Sequence, residues 1–109
     1  MKIAVTAVGK GCDAEVDLRC ERACYILIFS SDGDLIETID NRRNVYATQS
    51  PTSEVSQLLA RKKVEVILTG PCGWKSQQAM KSAGIKMVFE CSRPVSEALD
   101  TYIGRVPLR

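Results

Sequence analysis

Five cysteines and a complete lack of histidine define the side-chain chemistry open to this chain of 109 residues. Cys12, Cys20 and Cys24 crowd into the stretch GCDAEVDLRCERAC, while Cys72 and Cys91 stand far along the sequence. Thiolates are soft ligands that favour copper(I), zinc and metal–sulfur clusters. Without imidazole, mixed Cys/His zinc sites, Cys-His or Ser-His nucleophile pairs and imidazole acid–base catalysis are excluded. Any metal held by side chains must therefore be held by thiolate or oxygen. Cys20 and Cys24 are separated by three residues, which is neither a zinc-knuckle nor a C-x-x-C redox spacing. An odd cysteine count cannot pair completely, and disulfides are uncommon in reducing compartments. Free cysteine is also commonly a small buried hydrophobe. Cys24, at the start of a strand, fits that description; Cys12 and Cys72, in loops beside glycines, fit a ligand better.

The elements around these thiols decide whether they can meet. Lys2 to Ala7 reads as a first strand, closed by Val8-Gly9-Lys10-Gly11. Cys24 to Phe29 is an apolar, β-rich run, and the turn Ser31-Asp32-Gly33-Asp34 hands it to a hairpin partner, Leu35 to Asp40. Ser50-Pro51-Thr52-Ser53-Glu54 carries helix-start chemistry, and the helix is expected to reach Lys62 with Val55, Leu58 and Leu59 buried. Val64 to Thr69 is a buried strand ended by Gly70-Pro71. A helix from Trp74 to Ala83, a strand from Ile85 to Phe89, and a helix from Arg93-Pro94-Val95 to Ile103 complete the order. A hairpin followed by βα alternation predicts an α/β fold with a five-stranded mixed sheet flanked by helices. One domain spanning residues 1–109 is expected from the length.

In such sheets, ligands gather outside the carboxyl ends of the parallel strands. Cys12, Cys72 and Cys91 each follow one of those strands, so they are expected to converge at one edge and form a thiolate pocket. Gly9, Gly11, Gly70 and Gly73 would let backbone amides approach an anion. Lys10, Arg19, Arg22, Lys75 and Arg93 flank the same edge, where cations would neutralise an anionic cluster; solvated surface charge is the plain alternative for each. Asp13, Glu15 and Asp17 alternate and would share one face of an extended segment, more simply a solvated face than a Mg²⁺ site. Trp74, the sole tryptophan, is expected to anchor its helix rather than shield a site.

A charge of +2 is too small to announce a nucleic-acid partner. No apolar run approaches the roughly 18 to 20 residues that span a bilayer, and Met1-Lys2-Ile3-Ala4-Val5 enters a strand without signal-peptide organisation. A cytoplasmic protein, with neither membrane nor nucleic acid among its partners, is expected.

The chain also resembles the dinitrogenase iron-molybdenum cofactor-binding family, the NifX, NifB carboxyl-terminal, NafY and orange protein-like group. The likeness runs nearly end to end. It is carried by Met1-Lys2-Ile3-Ala4-Val5, by Asp17-Leu18-Arg19-Cys20-Glu21-Arg22-Ala23-Cys24-Tyr25, and by Val64-Glu65-Val66-Ile67-Leu68-Thr69-Gly70-Pro71-Cys72-Gly73. Met80-Lys81-Ser82-Ala83-Gly84-Ile85-Lys86 and Val95-Ser96-Glu97-Ala98-Leu99 extend it. The resemblance implies a ribonuclease H-like fold and the binding of a preassembled metal–sulfur cluster of iron, molybdenum or copper, as carrier or scaffold, with an apo-metalloenzyme as recipient. The sequence departs from the family pattern where Cys20-Glu21 replaces Phe-Gly, where Ala47-Thr48-Gln49-Ser50-Pro51-Thr52 replaces a glycine-rich helix opening, and in lacking a histidine that some members offer to cofactor. These departures point to a sulfur-based ligand set, with Cys12, Cys20 and Cys72 as additions.

Three functions are therefore weighed. The leading one is a non-catalytic carrier of an anionic metal–sulfur cluster. Its cofactor contacts would be Lys10, Gly11, Cys12, Arg19, Cys20, Arg22, Gly70, Cys72, Gly73 and Arg93, with Cys12, Cys20, Cys72 and Cys91 as metal ligands. The second is a redox-sensing module built on a reversible Cys20–Cys24 disulfide. The third, a metal-dependent nuclease, would need Asp13, Glu15, Asp17 and Asp40 to converge.

Overall fold

The computed structural model describes residues 1–104; residues 105–109 of the expected 1–109 unit lie outside the described residues. Five strands, β1 (Lys2–Ala7), β2 (Tyr25–Ser30), β3 (Leu35–Asp40), β4 (Val64–Thr69) and β5 (Lys86–Phe89), form one sheet in the order β3-β2-β1-β4-β5. β2 pairs antiparallel with both β1 and β3, while β1–β4 and β4–β5 are parallel, so β2 alone runs against the rest. The helices are α1 (Thr52–Arg61), α2 (Trp74–Ser82) and α3 (Val95–Ile103). The fold class is the expected one: α/β, with a mixed five-stranded sheet and helices on both faces. No described helix is long and apolar enough to cross a membrane.

Period-two alternation divides the core between the two faces of the sheet. Ile3, Val5 and Ala7 of β1 meet Leu27 and Phe29 of β2, Val66 and Leu68 of β4, and Val95, Ala98 and Leu99 of α3. Ala4, Ile26, Ile28 and Ile67 point the other way, onto Val55 and Leu59 of α1 and Met80 of α2. Both faces of β1, β2 and β4 are covered, which explains their nearly continuous apolar sequence.

Boundaries moved where hydrogen bonding overrode composition. α1 starts at Thr52 with Pro51 as its N-cap residue, and no side chain caps it; Ser50 Oγ reaches the Thr52 amide at only 3.4 Å. Leu58 is half-buried, and Ser56 takes a buried place beside Val55 and Leu59. Ile85 is drawn out of β5 because its amide donates to Met80 O, closing α2 around Gly84. Two 3-10 turns, Cys20–Arg22 and Arg42–Asn44, flank the carboxyl edge of the sheet.

The sheet directions deliver that edge as expected. The loops after β1, β3, β4 and β5 leave there, and the segment entering β2 arrives there. β1, β2 and β3 are level at this edge, through the pairs Ala7↔Tyr25 and Tyr25↔Asp40.

Candidate functional site

The carboxyl-edge loops are packed onto one another. The segment after β1 folds back: Val16 bridges Ala7, and Glu15 bridges Pro94. Thr6, fully buried at the end of β1, donates to Asp17 O, and its hydroxyl lies 2.8 Å from that of Thr69 on β4. Leu18 then lies against Gly70, where an added Cβ would stand 2.5 Å from Leu18 Cα. Only glycine allows that approach.

This contact brings Cys20 and Cys72 together as a disulfide, with a Cα–Cα distance of 5.9 Å and a sequence separation of 52. Two expectations are corrected by it. Cys20 pairs with Cys72, not with Cys24, because the loop contact at Gly70 selects a partner from across the sequence. Gly70, expected to open toward an anion, is instead buried, with the Leu18 backbone where its Cβ would stand.

Glu21 stands beside the disulfide. Its Oε1 accepts hydrogen bonds from Thr52 Oγ1 and Ser76 Oγ, both at 2.8 Å, which ties the loop to the first turns of α1 and α2. Its Oε2 is buried and has no hydrogen-bond partner. An unsatisfied buried oxygen of this kind costs about 1–3 kcal/mol, and more if charged. Cys20 Sγ, Cys72 Sγ and a Glu21 carboxylate oxygen all lie within 4.8 Å of one another. Among the described residues this is the only grouping of three or more potential ligands that close.

The remaining thiols do not join it. Cys12 packs against the hydrophobic core on the α3 side of the sheet, and Cys91 is exposed beyond the far strand β5. The expected four-thiol pocket is thus replaced by one pair. All three cysteines follow their parallel strands, but the loop after β1 packs Cys12 against the α3-side core, while Cys91 is left exposed. Cys24 leans to the core as expected: it is half-buried against the α3-side core, with its sulfur 3.1 Å from Arg19 Nη2.

Charge at the edge is largely internally balanced. Asp17, whose side chain is 3% exposed, accepts from Arg19 Nε and Nη2 at 2.9 and 2.6 Å, and from the amides of Arg19 and Cys24. Burial works to raise its pKa, but these donors outweigh that and hold the carboxyl below its usual range. The same pairing raises the Arg19 pKa. Arg93 grips Glu90 at 2.9 and 2.6 Å and approaches Glu97 at 3.6 Å. Arg22 donates to Ala47 O at 2.8 Å, fastening the irregular segment after β3. Lys10 lies 5.9 Å from the Tyr25 ring centroid, with Arg42 5.4 Å away from the same ring. Hydrogen bonds from Arg42 hold Asp40 near a pKa of about 2.

Asp17 and Asp40 are therefore each bound to an arginine, and no described trio of carboxylates assembles for Mg²⁺. Asp13 and Glu15 are exposed while Asp17 is buried, so the expected common face does not form. Gly73, the N-cap residue of α2, has open space around it. Trp74 does not anchor α2; it is 65% exposed at the same edge. Lys75 is exposed next to it. Glu21, Thr52 and Ser76 were missed as site residues. The available signal was that Cys20-Glu21 and the segment ending in Thr52 both depart from the family pattern.

Comparison with known proteins agrees with this architecture. No curated protein matches the chain. Among solved structures, the apo form of the orange protein from Desulfovibrio gigas is 32% identical, with a TM-score of 0.84, over 99% of this chain and 92% of that one. A candidate NifB protein from Thermotoga is 28% identical, with a TM-score of 0.77, over 93% of this chain and 85% of that one. The family model described as dinitrogenase iron-molybdenum cofactor matches residues 1–105. The chain belongs to the dinitrogenase iron-molybdenum cofactor family.

Proposed function

We propose that this protein is a non-catalytic carrier or scaffold for an anionic metal–sulfur cluster of the iron-molybdenum cofactor kind, built of iron, molybdenum or copper with sulfide. The carrying observation is a rim at the carboxyl edge, where the loops after β1 and β4 are fastened by Gly70 and by the Cys20–Cys72 pair, in a chain of this family. Lys10, Arg22, the exposed Gly11 and the open Gly73 loop would meet the cargo, with Cys20 and Cys72 as sulfur ligands once reduced. Arg19 and Gly70 act by positioning the rim. Arg93 is committed to Glu90, and Cys12 and Cys91 stand outside the thiol pair, so they contribute least. The strand order, with β2 alone reversed, supports the ribonuclease H-like description of the fold. An apo-metalloenzyme is the recipient this role requires, and a cytoplasmic location suits it.

The test is anaerobic isolation followed by metal and sulfide analysis, with visible absorption before and after incubation with a preassembled cluster. The expected result is a coloured protein with stoichiometric metal and sulfide. A colourless protein that takes up no iron, molybdenum or copper from a supplied cluster overturns the proposal.

The disulfide favours a second reading, a redox-sensing module working through Cys20–Cys72. Thiol counting under mild oxidation in the absence of metal would then show two thiols lost reversibly, and a folded chain whose binding properties change with them.

A further inference from the structure

We infer that the Cys20–Cys72 disulfide is the closed state of a metal-ion seat whose third donor is Glu21. Two sulfurs and a carboxylate oxygen already lie within 4.8 Å of one another. Glu21 is held in place independently of any ion, since its Oε1 is fixed by the hydroxyls of Thr52 and Ser76 at 2.8 Å. Its Oε2, buried and without a partner, has the lone pairs that a cation would use. Cys20 sits at φ 59°, a left-handed backbone that residues with side chains seldom adopt. Such outliers persist where the surroundings fix them and often mark functional positions. Here the turn is fixed by Asn41, whose Nδ2 donates to Glu21 O at 2.9 Å and to Ala23 O at 2.8 Å.

An external dithiol delivers two electrons and two protons to the S–S bond and is itself oxidised to a disulfide, leaving Cys20 and Cys72 as thiols. A divalent ion then displaces the two thiol protons and binds two thiolates and the Glu21 carboxylate. Three protein donors with a fourth position open suit a borderline-soft ion of the zinc(II) class. The open position would accept an external sulfide or thiolate. Disulfide and metal exclude each other, so the seat is available only to reduced protein. The inference shares these two thiols with the cargo reading and otherwise stands apart from it.

The experiment uses the full chain with Cys12, Cys24 and Cys91 replaced by serine, so that only the pair remains. The protein is reduced anaerobically with a phosphine, desalted, and titrated with cobalt(II) as the probe for zinc(II). The expected result is one cobalt per reduced chain with a sulfur-to-cobalt charge-transfer band, reversed by zinc(II), and none in the oxidised chain. Glu21→Gln is expected to weaken cobalt binding by roughly tenfold or more, by analogy with the loss of supporting groups at other metal sites, while the band remains. Adding Cys72→Ser should abolish it. The oxidised chain, which keeps its fold and every side chain, is the second arm should the serine variant not fold. No cobalt on reduced protein, equal binding when oxidised, or a band that survives Cys72→Ser overturns the inference. Cluster uptake by the natural chain is measured alongside. A chain that takes up cluster but no cobalt refutes the seat alone, and one that binds cobalt but no cluster refutes the cargo reading alone.

Discussion

Asp17 shows how much of this edge depends on a single side chain. Its carboxylate receives four donors from Arg19 and Cys24, so it fixes both ends of the segment that carries Cys20 and Glu21. Its pKa is lowered by folding. A depressed carboxylate stabilises the fold fully above the ordinary unfolded value of about 3.9, and loses that contribution as the pH falls through the folded value. Asp17→Asn is accordingly expected to cost roughly 2–3 kcal/mol at neutral pH. Urea denaturation at a series of pH values should show the gap between variant and natural chain closing below about pH 4. A constant gap down to pH 2 would mean that the charge contributes nothing. The exposed Asp40–Arg42 pair has the same chemistry without the burial, and screening by solvent leaves it little influence.

At the scale of elements, the decisive contact is between two loops. Gly70→Ala would drive a methyl group into the Leu18 backbone, and neither loop is free to retreat, since both hang from the buried Thr6–Thr69 hydroxyl pair. A loss of roughly 2–3 kcal/mol is expected by denaturation. Gly73→Ala, three residues on with open space around it, should be close to neutral and serves as the control. These loops also explain what could be read from the sequence. β1, β3 and β4 were legible to the residue, because alternation and the Asp32-Gly33 turn are local signals. The carboxyl edge as the place where cysteines collect was legible from topology. Which cysteines meet was not, because that depends on Leu18 settling on Gly70, a contact with no local signature. Asp17 likewise reads as one member of an acidic stripe, yet it is buried and its carboxylate accepts from the amides of Arg19 and Cys24. The departures from the family pattern were the better guide: Cys20-Glu21 and Thr52 come together in space.

For the whole molecule, the Cys20–Cys72 bond closes a loop across a sequence separation of 52, containing β2, β3, α1 and β4. Constraint of so long a loop in the unfolded chain is worth roughly 4 kcal/mol. Reduction should therefore lower the denaturation midpoint substantially while leaving circular dichroism unchanged, because the sheet core is covered on both faces without help from the bond. Loss of secondary structure on reduction alone would show that the cross-link, rather than the two apolar layers, keeps the chain folded.

Trp74 closes the matter in a practical way. It is the sole indole in the chain, it stands two residues from Cys72, and solvent reaches most of it. The rim thus carries its own fluorophore, placed where quenching by a nearby metal or a change in local polarity would report arrivals and departures in real time, with no dye attached and no second indole to confuse the signal.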